Sequence, residues 1–323
     1  MEMFGKKVLV TGAAGFIGSH LTQQLLLSGA QVRAFVRYNS LNSHGYLDRL
    51  PADQRSEIEV VMGDLRDPDA VREAVRGMDV VFHLGALIAI PYSYQHPTEY
   101  VQTNVMGTLH VLQAVRQWGI ERMVHTSTSE VYGTARYVPM DESHPLQGQS
   151  PYSASKIAAD KLAESFYRSY QTPVVTVRPF NAYGPRQSMR AVIPTIIHQA
   201  LNGSEIVLGN VSVTRDFTYV EDTARAFIRA ALTDEAVGDV FNVGSGTEIA
   251  IRDLVETILR IVGRTLPVRV EPNRLRPEKS EVRRLRADST KAAHVLQWRP
   301  TIALEEGLRR TVEWMQQHQH LYR

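Results

Sequence analysis

Residues Lys7–Gly29 read KVLVTGAAGFIGSHLTQQLLLSG. Lys7–Thr11 is a short apolar, β-branched run, which predicts a buried parallel strand. Gly12, Gly15 and Gly18 follow in the spacing G-x-x-G-x-x-G. Phe16–Leu27 then has helical periodicity and stops at Ser28-Gly29, a helix terminator. A glycine loop between strand and helix lets the backbone approach a pyrophosphate, which rests on the positive helix end. Three glycines can also serve only a tight turn. The strand before and the helix after favour a dinucleotide cradle, with Gly12, Gly15, Phe16, Ile17 and Gly18 as its contacts.

Working outward, Gln31–Val36 predicts the second strand. NAD binders usually carry an acid near the end of this strand, but here Phe35, Val36, Arg37 and Tyr38 stand in its place. Arg37 either pairs with a 2′-phosphate, which points towards NADP, or is a solvated loop charge. A third strand, Glu59–Met62, leads to Gly63-Asp64-Leu65, where an adenine contact is expected. Asp67–Gly77 reads as a helix with Asp67 as N-cap and Pro68 in the first turn. The fourth strand, Val80–Leu84, runs into Gly85-Ala86, so Leu84 and Ala86 are expected to lie flat against the cofactor. His83 reads as a packed strand residue. Tyr100–Trp118 is a long helix in which Asn104 either holds backbone or water near a site or is a surface asparagine.

A fifth strand, Glu121–Ser127, delivers TSTSEVYG to the carboxyl edge of the sheet, where ligands bind in doubly wound folds. Pro151–Ser169 follows as a helix with Tyr152 and Lys156 on its first turns. Tyr-x-x-x-Lys stacks a phenol over an ammonium on one helix face. The ammonium is expected to lower the tyrosine pKa, so that Tyr152 accepts a proton from a substrate hydroxyl.

The 323 residues suffice for one large or two medium domains. Hydrophobic residues at 43% and charged residues at 22% are ordinary for a globular protein. A net charge of +2 gives no footprint for nucleic acid. The absence of cysteine excludes disulfides and thiol catalysis and suits a reducing cytoplasm. No apolar stretch approaches the roughly 20 residues that span a bilayer, and no metal site is expected.

Together TGAAGFIG, TSTSEVYG, YSASK, RPFNAYGPR (Arg178–Arg186), RDFTYVED (Arg215–Asp222) and FNVGSG (Phe241–Gly246) resemble the extended short-chain dehydrogenase/reductases that act on nucleotide sugars. HTSTSEVYGTARYVPMDESHPLQGQSPYSASK and RPFNAYGPRQSMRAVIPT are most similar to NDP-N-acetylglucosamine 4,6-dehydratases of the legionaminic acid pathway. The resemblance implies that Tyr152 takes the 4-hydroxyl proton as C4 gives hydride to a tightly bound NAD or NADP. It implies that Lys156 tunes Tyr152 and holds the nicotinamide ribose, and that Thr128 holds the 4-hydroxyl. Glu130 is then the base for the C5 proton. The dTDP-glucose enzymes carry Asp-Glu where this chain has Ser129-Glu130. Either Glu130 serves as both base and acid, or Ser129 or a water relays the proton. UDP-glucuronate decarboxylases share T-S-E-V-Y-G, whereas simple 4-epimerases usually lack the glutamate. A non-catalytic nucleotide-binding protein on the same fold is the remaining alternative.

The same resemblance assigns Asn181, Arg186, Arg215, Arg276 and Asn104 to the nucleotide-sugar substrate. It also implies a homodimer through a four-helix bundle of the Tyr100 and Tyr152 helices. The expected fold is α/β, a doubly wound Rossmann-type parallel sheet with a smaller C-terminal substrate-binding domain. The cofactor domain is expected to span 1–178 with a return at about 215–245, and the sugar-nucleotide domain 179–214 and 246–323.

Overall fold

The computed structural model describes residues 3–275 and 277–322. Seven strands form one parallel sheet: β1 (Lys7–Thr11), β2 (Gln31–Arg37), β3 (Ile58–Gly63), β4 (Val80–His83), β5 (Arg122–Thr126), β6 (Val174–Pro179) and β7 (Val240–Val243). Their spatial order is β7-β6-β5-β4-β1-β2-β3. The order reverses between β1 and β4, and a crevice opens at the carboxyl ends of strands at such a switch point. Most strands are near-continuous apolar runs because both faces are covered. Along β1, Val8 and Val10 enter one core and Leu9 the other.

The main covering helices are α1 (Phe16–Leu27), α2 (Pro68–Val75), α3 (Gly107–Trp118), α4 (Pro151–Tyr170) and α5 (Val220–Leu232). α1, α2 and α4 match the expected helices closely. Asp67 caps α2 by accepting from Asp69 N and Ala70 N. The Tyr100 helix differs from expectation. It starts at Pro97, and Val101–Met106 is wound as a π-helix before α3 begins.

A third core, built on Ile193, Ile196, Ile197, Leu254, Ile258, Leu308 and Met315, gathers helices Val192–Asn202, Ile251–Val262 and Leu304–Gln317 beside the sheet. The short strand Asn181–Tyr183, paired with Phe217–Tyr219, leads from β6 towards this core.

The β1–α1 join is the tightest point. Gly12 has φ +70, in the left-handed region. A Cβ on Gly18 would lie 2.2 Å from the Gly12 carbonyl oxygen. Gly18→Ala should therefore cost about 1–3 kcal/mol through forced backbone displacement, read as a lower melting temperature. An unchanged melting temperature would show that the loop yields freely.

Candidate active site

The glycine loop offers backbone donors with no competing side chain. Gly15 is the N-cap of α1, no side chain caps the helix, and no acid lies in its first turn. The N–H groups of Phe16, Ile17 and Gly18 thus head the helix at its positive end, a donor set that suits a diphosphate. Leu84 and Ala86 are half-buried at the end of β4, with Gly85 N donating to Thr11 Oγ1 at 3.1 Å between them. Arg37 is exposed at the end of β2. Beside it, Asp64 is committed to Arg66, which donates from Nε at 3.0 Å and from Nη2 at 2.6 Å. Those bonds hold the Asp64 carboxyl below its ordinary range, and the Arg37 charge adds to the effect. Leu65 is buried, and its carbonyl meets His110 Nδ1 at 2.9 Å.

The end of β5 and the start of α4 build the reactive centre. Ser150 and Ser153 form a capping box at the head of α4, with Pro151 in its first turn. This fixes the helix start, so Tyr152 and Lys156 lie one above the other, both buried. Lys156 Nζ donates to the Thr126 carbonyl at 2.6 Å. The Thr128 side chain hydrogen-bonds the Tyr152 hydroxyl. Thr128 also N-caps the 3-10 turn Ser129–Tyr132 by accepting from Glu130 N at 3.2 Å. Ser129 is buried and Glu130 half-buried on that turn.

The Tyr152 phenol does not have the lowered pKa that its spacing from Lys156 predicts. Burial pushes it well above 10, the Thr128 hydrogen bond opposes this, and the charges of Glu130, Tyr100 and Asp160 add to the rise. Burial likewise brings Lys156 down to about 8, with Asp160 opposing. Removing both groups from water outweighs their mutual effect.

Beneath this pair lies a polar network that spacing alone does not reveal. Asp160, one turn beyond Lys156, accepts from His125 Nε2 at 3.1 Å, Ser127 Oγ at 2.7 Å, Arg178 Nε at 3.1 Å and Arg178 Nη2 at 3.0 Å. Arg178 also donates to the Tyr132 hydroxyl at 2.9 Å, and that hydroxyl donates to Asn242 Oδ1 at 2.7 Å. Burial alone would raise the Asp160 carboxyl. The bonds from His125 and Ser127 and the Arg178 charge bring it down to about 2. His83, expected only to pack, is buried between Thr11 Oγ1 at 2.8 Å and Thr108 Oγ1 at 3.0 Å. Burial holds it neutral.

Asn181 and Arg215 line a cleft of about 380 Å³ together with Gln187, Arg190, Phe217 and Glu281. Arg215 is buried and faces Glu281 at 3.7 Å. Glu281 was not singled out in the sequence, because its partner lies 66 positions away, from 215 to 281.

Two expected substrate residues are placed elsewhere. Asn104 is buried in the π-helical segment, and its amide is spent on Leu87 N, Leu87 O and Ser155 Oγ at 2.8–2.9 Å. It holds the Leu87 backbone and the Ser155 hydroxyl. Arg186, with φ 68, turns back onto α1 and donates to Gln23 Oε1 at 2.8 Å and Ser19 Oγ at 3.4 Å. Its guanidinium ties Asn181–Arg186 to the cofactor helix. Arg276 lies outside the described residues.

A family profile described as GDP-mannose 4,6 dehydratase matches residues 9–311. The chain is 36% identical to a UDP-glucose 4-epimerase of Mycolicibacterium smegmatis, over 95% of this chain and 98% of the relative. Among solved structures, a UDP-N-acetylglucosamine 4-epimerase from Methanobrevibacter ruminantium, in complex with UDP-N-acetylmuramic acid, superposes with a TM-score of 0.88. It shares 32% identity and covers 98% of this chain and 99% of that one. A dTDP-glucose 4,6-dehydratase from Streptomyces venezuelae with NAD and TYD bound gives a TM-score of 0.86 at 31% identity, with 98% of each chain covered. The chain therefore belongs to the extended short-chain dehydrogenase/reductase family of nucleotide-sugar epimerases and dehydratases.

A proton acceptor that needs Lys156 cationic has an upper pH limit. Lys156 loses its charge as pH rises through about 8, so kcat/KM should decline above that value. A pH–rate profile that stays flat to the ordinary lysine range near 10 would contradict this.

Proposed function

We propose that this chain is a cytoplasmic, NAD(P)-dependent nucleotide-sugar 4,6-dehydratase, acting on UDP- or GDP-N-acetylglucosamine. One observation carries the reading beyond the family: Glu130 sits on the 3-10 turn that Thr128 caps, and Thr128 is the residue beside the Tyr152 hydroxyl. A base beside the proton acceptor is what dehydration requires and what a simple epimerisation does not. The glycine loop, Leu84, Ala86, Tyr152 and Lys156 would hold the dinucleotide, and Asn181 and Arg215 the substrate's nucleotide diphosphate.

Bound NAD(P) would supply a hydride acceptor for C4 and return that hydride to C6. Tyr152 takes the proton of the sugar 4-hydroxyl, while Thr128 steadies that oxygen. Tyr152 accepts as phenolate, and the Lys156 ammonium offsets that negative charge until the sugar proton neutralises it. The resulting 4-ketone acidifies C5–H, and Glu130 removes that proton. The protonated Glu130 then gives it to the departing 6-hydroxyl, so C5–H and C6–OH leave together as one water. Hydride arriving at C6 leaves an electron pair at C5, which takes up one proton, matching the one that Tyr152 took from the 4-hydroxyl. Ser129 is buried and carries no carboxyl group, which favours Glu130 in both roles.

Arg37 at the end of β2 favours the 2′-phosphorylated cofactor. Exposed Val101, Met106, Trp118 and Tyr170 lie on α3, α4 and the π-helical segment, which favours a homodimer through those helices. The likeness to the M. smegmatis 4-epimerase keeps a second reading, in which hydride returns to C4 and no water leaves.

Incubation with UDP- and GDP-N-acetylglucosamine, read by mass spectrometry, should give a product lighter by one water. A product of unchanged mass would replace the reading with epimerisation. Glu130→Gln should lower turnover by about 10²–10⁴-fold. On the same preparation, released cofactor should carry a 2′-phosphate and light scattering should give twice the chain mass. Released NAD, or a monomer mass, would remove those two parts.

A further inference from the structure

Three successive residues at the end of β5 each reach a different turn of α4. The Thr126 carbonyl receives Lys156, Ser127 donates to Asp160, and Thr128 bonds Tyr152. Residues 152, 156 and 160 repeat every fourth position and so lie along one helix face. Asp160 is the rung farthest from the helix start. Its carboxylate is buried at 5% exposure and satisfied from two sides, by the end of β5 (His125 and, just past it, Ser127) and by β6 (Arg178). Arg178 is itself fixed on its far side by Tyr132 and Asn242. A buried carboxylate with so complete a set of donors locks the registry of the elements that supply them.

From this geometry we infer that Asp160 is a positioning residue, which sets a carboxylate one turn from the Lys156 ammonium and holds the Thr126–Thr128 strand end in register with Tyr152. The inference rests on the reading of Tyr152 and Lys156 as the proton-transfer pair.

Charge supports the geometry. The titratable groups around Lys156 are His83 from β4, His125 from β5, Arg178 from β6, and Tyr152 and Asp160 from α4. Glu130 and Tyr100 face Tyr152 from the 3-10 turn and from the helix before α3. Both histidines are held neutral by burial, and Arg178 is positive. Asp160 is the anion that offsets the burial of the ammonium. Without it, Lys156 would sit in a dry site beside an unbalanced guanidinium and shed its proton at lower pH. Ser127 carries the second half of the role. Its hydroxyl anchors the residue between the Lys156 acceptor and the Tyr152 partner.

The test uses the cofactor-loaded enzyme. The Lys156 ammonium is titrated by isotope-labelled lysine side-chain NMR, its signal assigned by its loss in Lys156→Met. Asp160→Asn should move that midpoint down by about one pH unit and lower kcat on UDP-N-acetylglucosamine by about tenfold, with KM within about twofold. An unmoved Lys156 midpoint, even with a lower melting temperature, would mean that Asp160 only stabilises the fold. Should Asp160→Asn not fold, Ser127→Ala decides. It removes one bond and strands no charge, and should lower kcat several-fold while leaving the Lys156 midpoint in place. A wild-type kcat in Ser127→Ala would overturn the registry role. The NMR titration needs no turnover. If UDP-N-acetylglucosamine is not converted, or Tyr152→Phe remains fully active, the functional reading fails while the Asp160 result still stands or falls alone.

Discussion

Where β1 gives way to α1, main chain meets main chain with no space for a side chain between them. Gly18 rests on the Gly12 carbonyl, and a Cβ on Gly12 would lie 2.8 Å from Gly85 N at the end of β4. The β1–α1 loop and the end of β4, distant in sequence, thus share one point. The exposed head of α1, the crevice between β1 and β4, and the register of β4 against β1 all follow from that contact. Through Thr11, His83 and Thr108 the same point is hydrogen-bonded onward to α3, and Asn104 continues the chain to Ser155 on α4. The floor of the cofactor site and the helix that carries Tyr152 are therefore parts of one polar scaffold laid between apolar layers.

Features legible in the sequence are those with a local period. β1 and α1 announce themselves through apolar runs and glycine spacing, and Asp67-Pro68 marks the start of α2. Tyr152 and Lys156 are legible because four positions on a helix are always neighbours. The unread features depend on contacts across the fold. Asp160 looks like one of many charges on an amphipathic helix until β5 and β6 bring His125 and Arg178 to it. Arg186 reads as a substrate residue by its motif, yet a left-handed backbone turns it onto α1. The sign of the Tyr152 shift is hidden for a related reason, since spacing gives the neighbour but not the loss of water around both groups.

Burying Asp160 with Arg178 carries a desolvation cost that an apolar pair of similar volume would avoid. Its retention under a reaction site fits a demand for one arrangement rather than for greater stability. The layered cores already supply apolar burial on both faces of the sheet, with a third core behind the cleft of Asn181 and Arg215. Polar contacts are then free to specify where strand ends and helix starts meet.

The π-wound turn at Val101–Met106 carries a consequence for how the chain can vary in length. A wider turn accommodates a residue that a regular helix would not, and it aims Asn104 inward at Leu87 and Ser155. Deleting one residue from the wide turn would restore a regular helix and leave Pro97–Tyr100 and α3 facing as they do, but it would loosen Asn104 from Leu87 and Ser155. Deleting one residue within α3 would instead rotate what precedes it by about 100° and swing Tyr100 away from the Ala89 carbonyl. The helix can therefore change length by one residue at this turn without turning one end against the other, and not within α3.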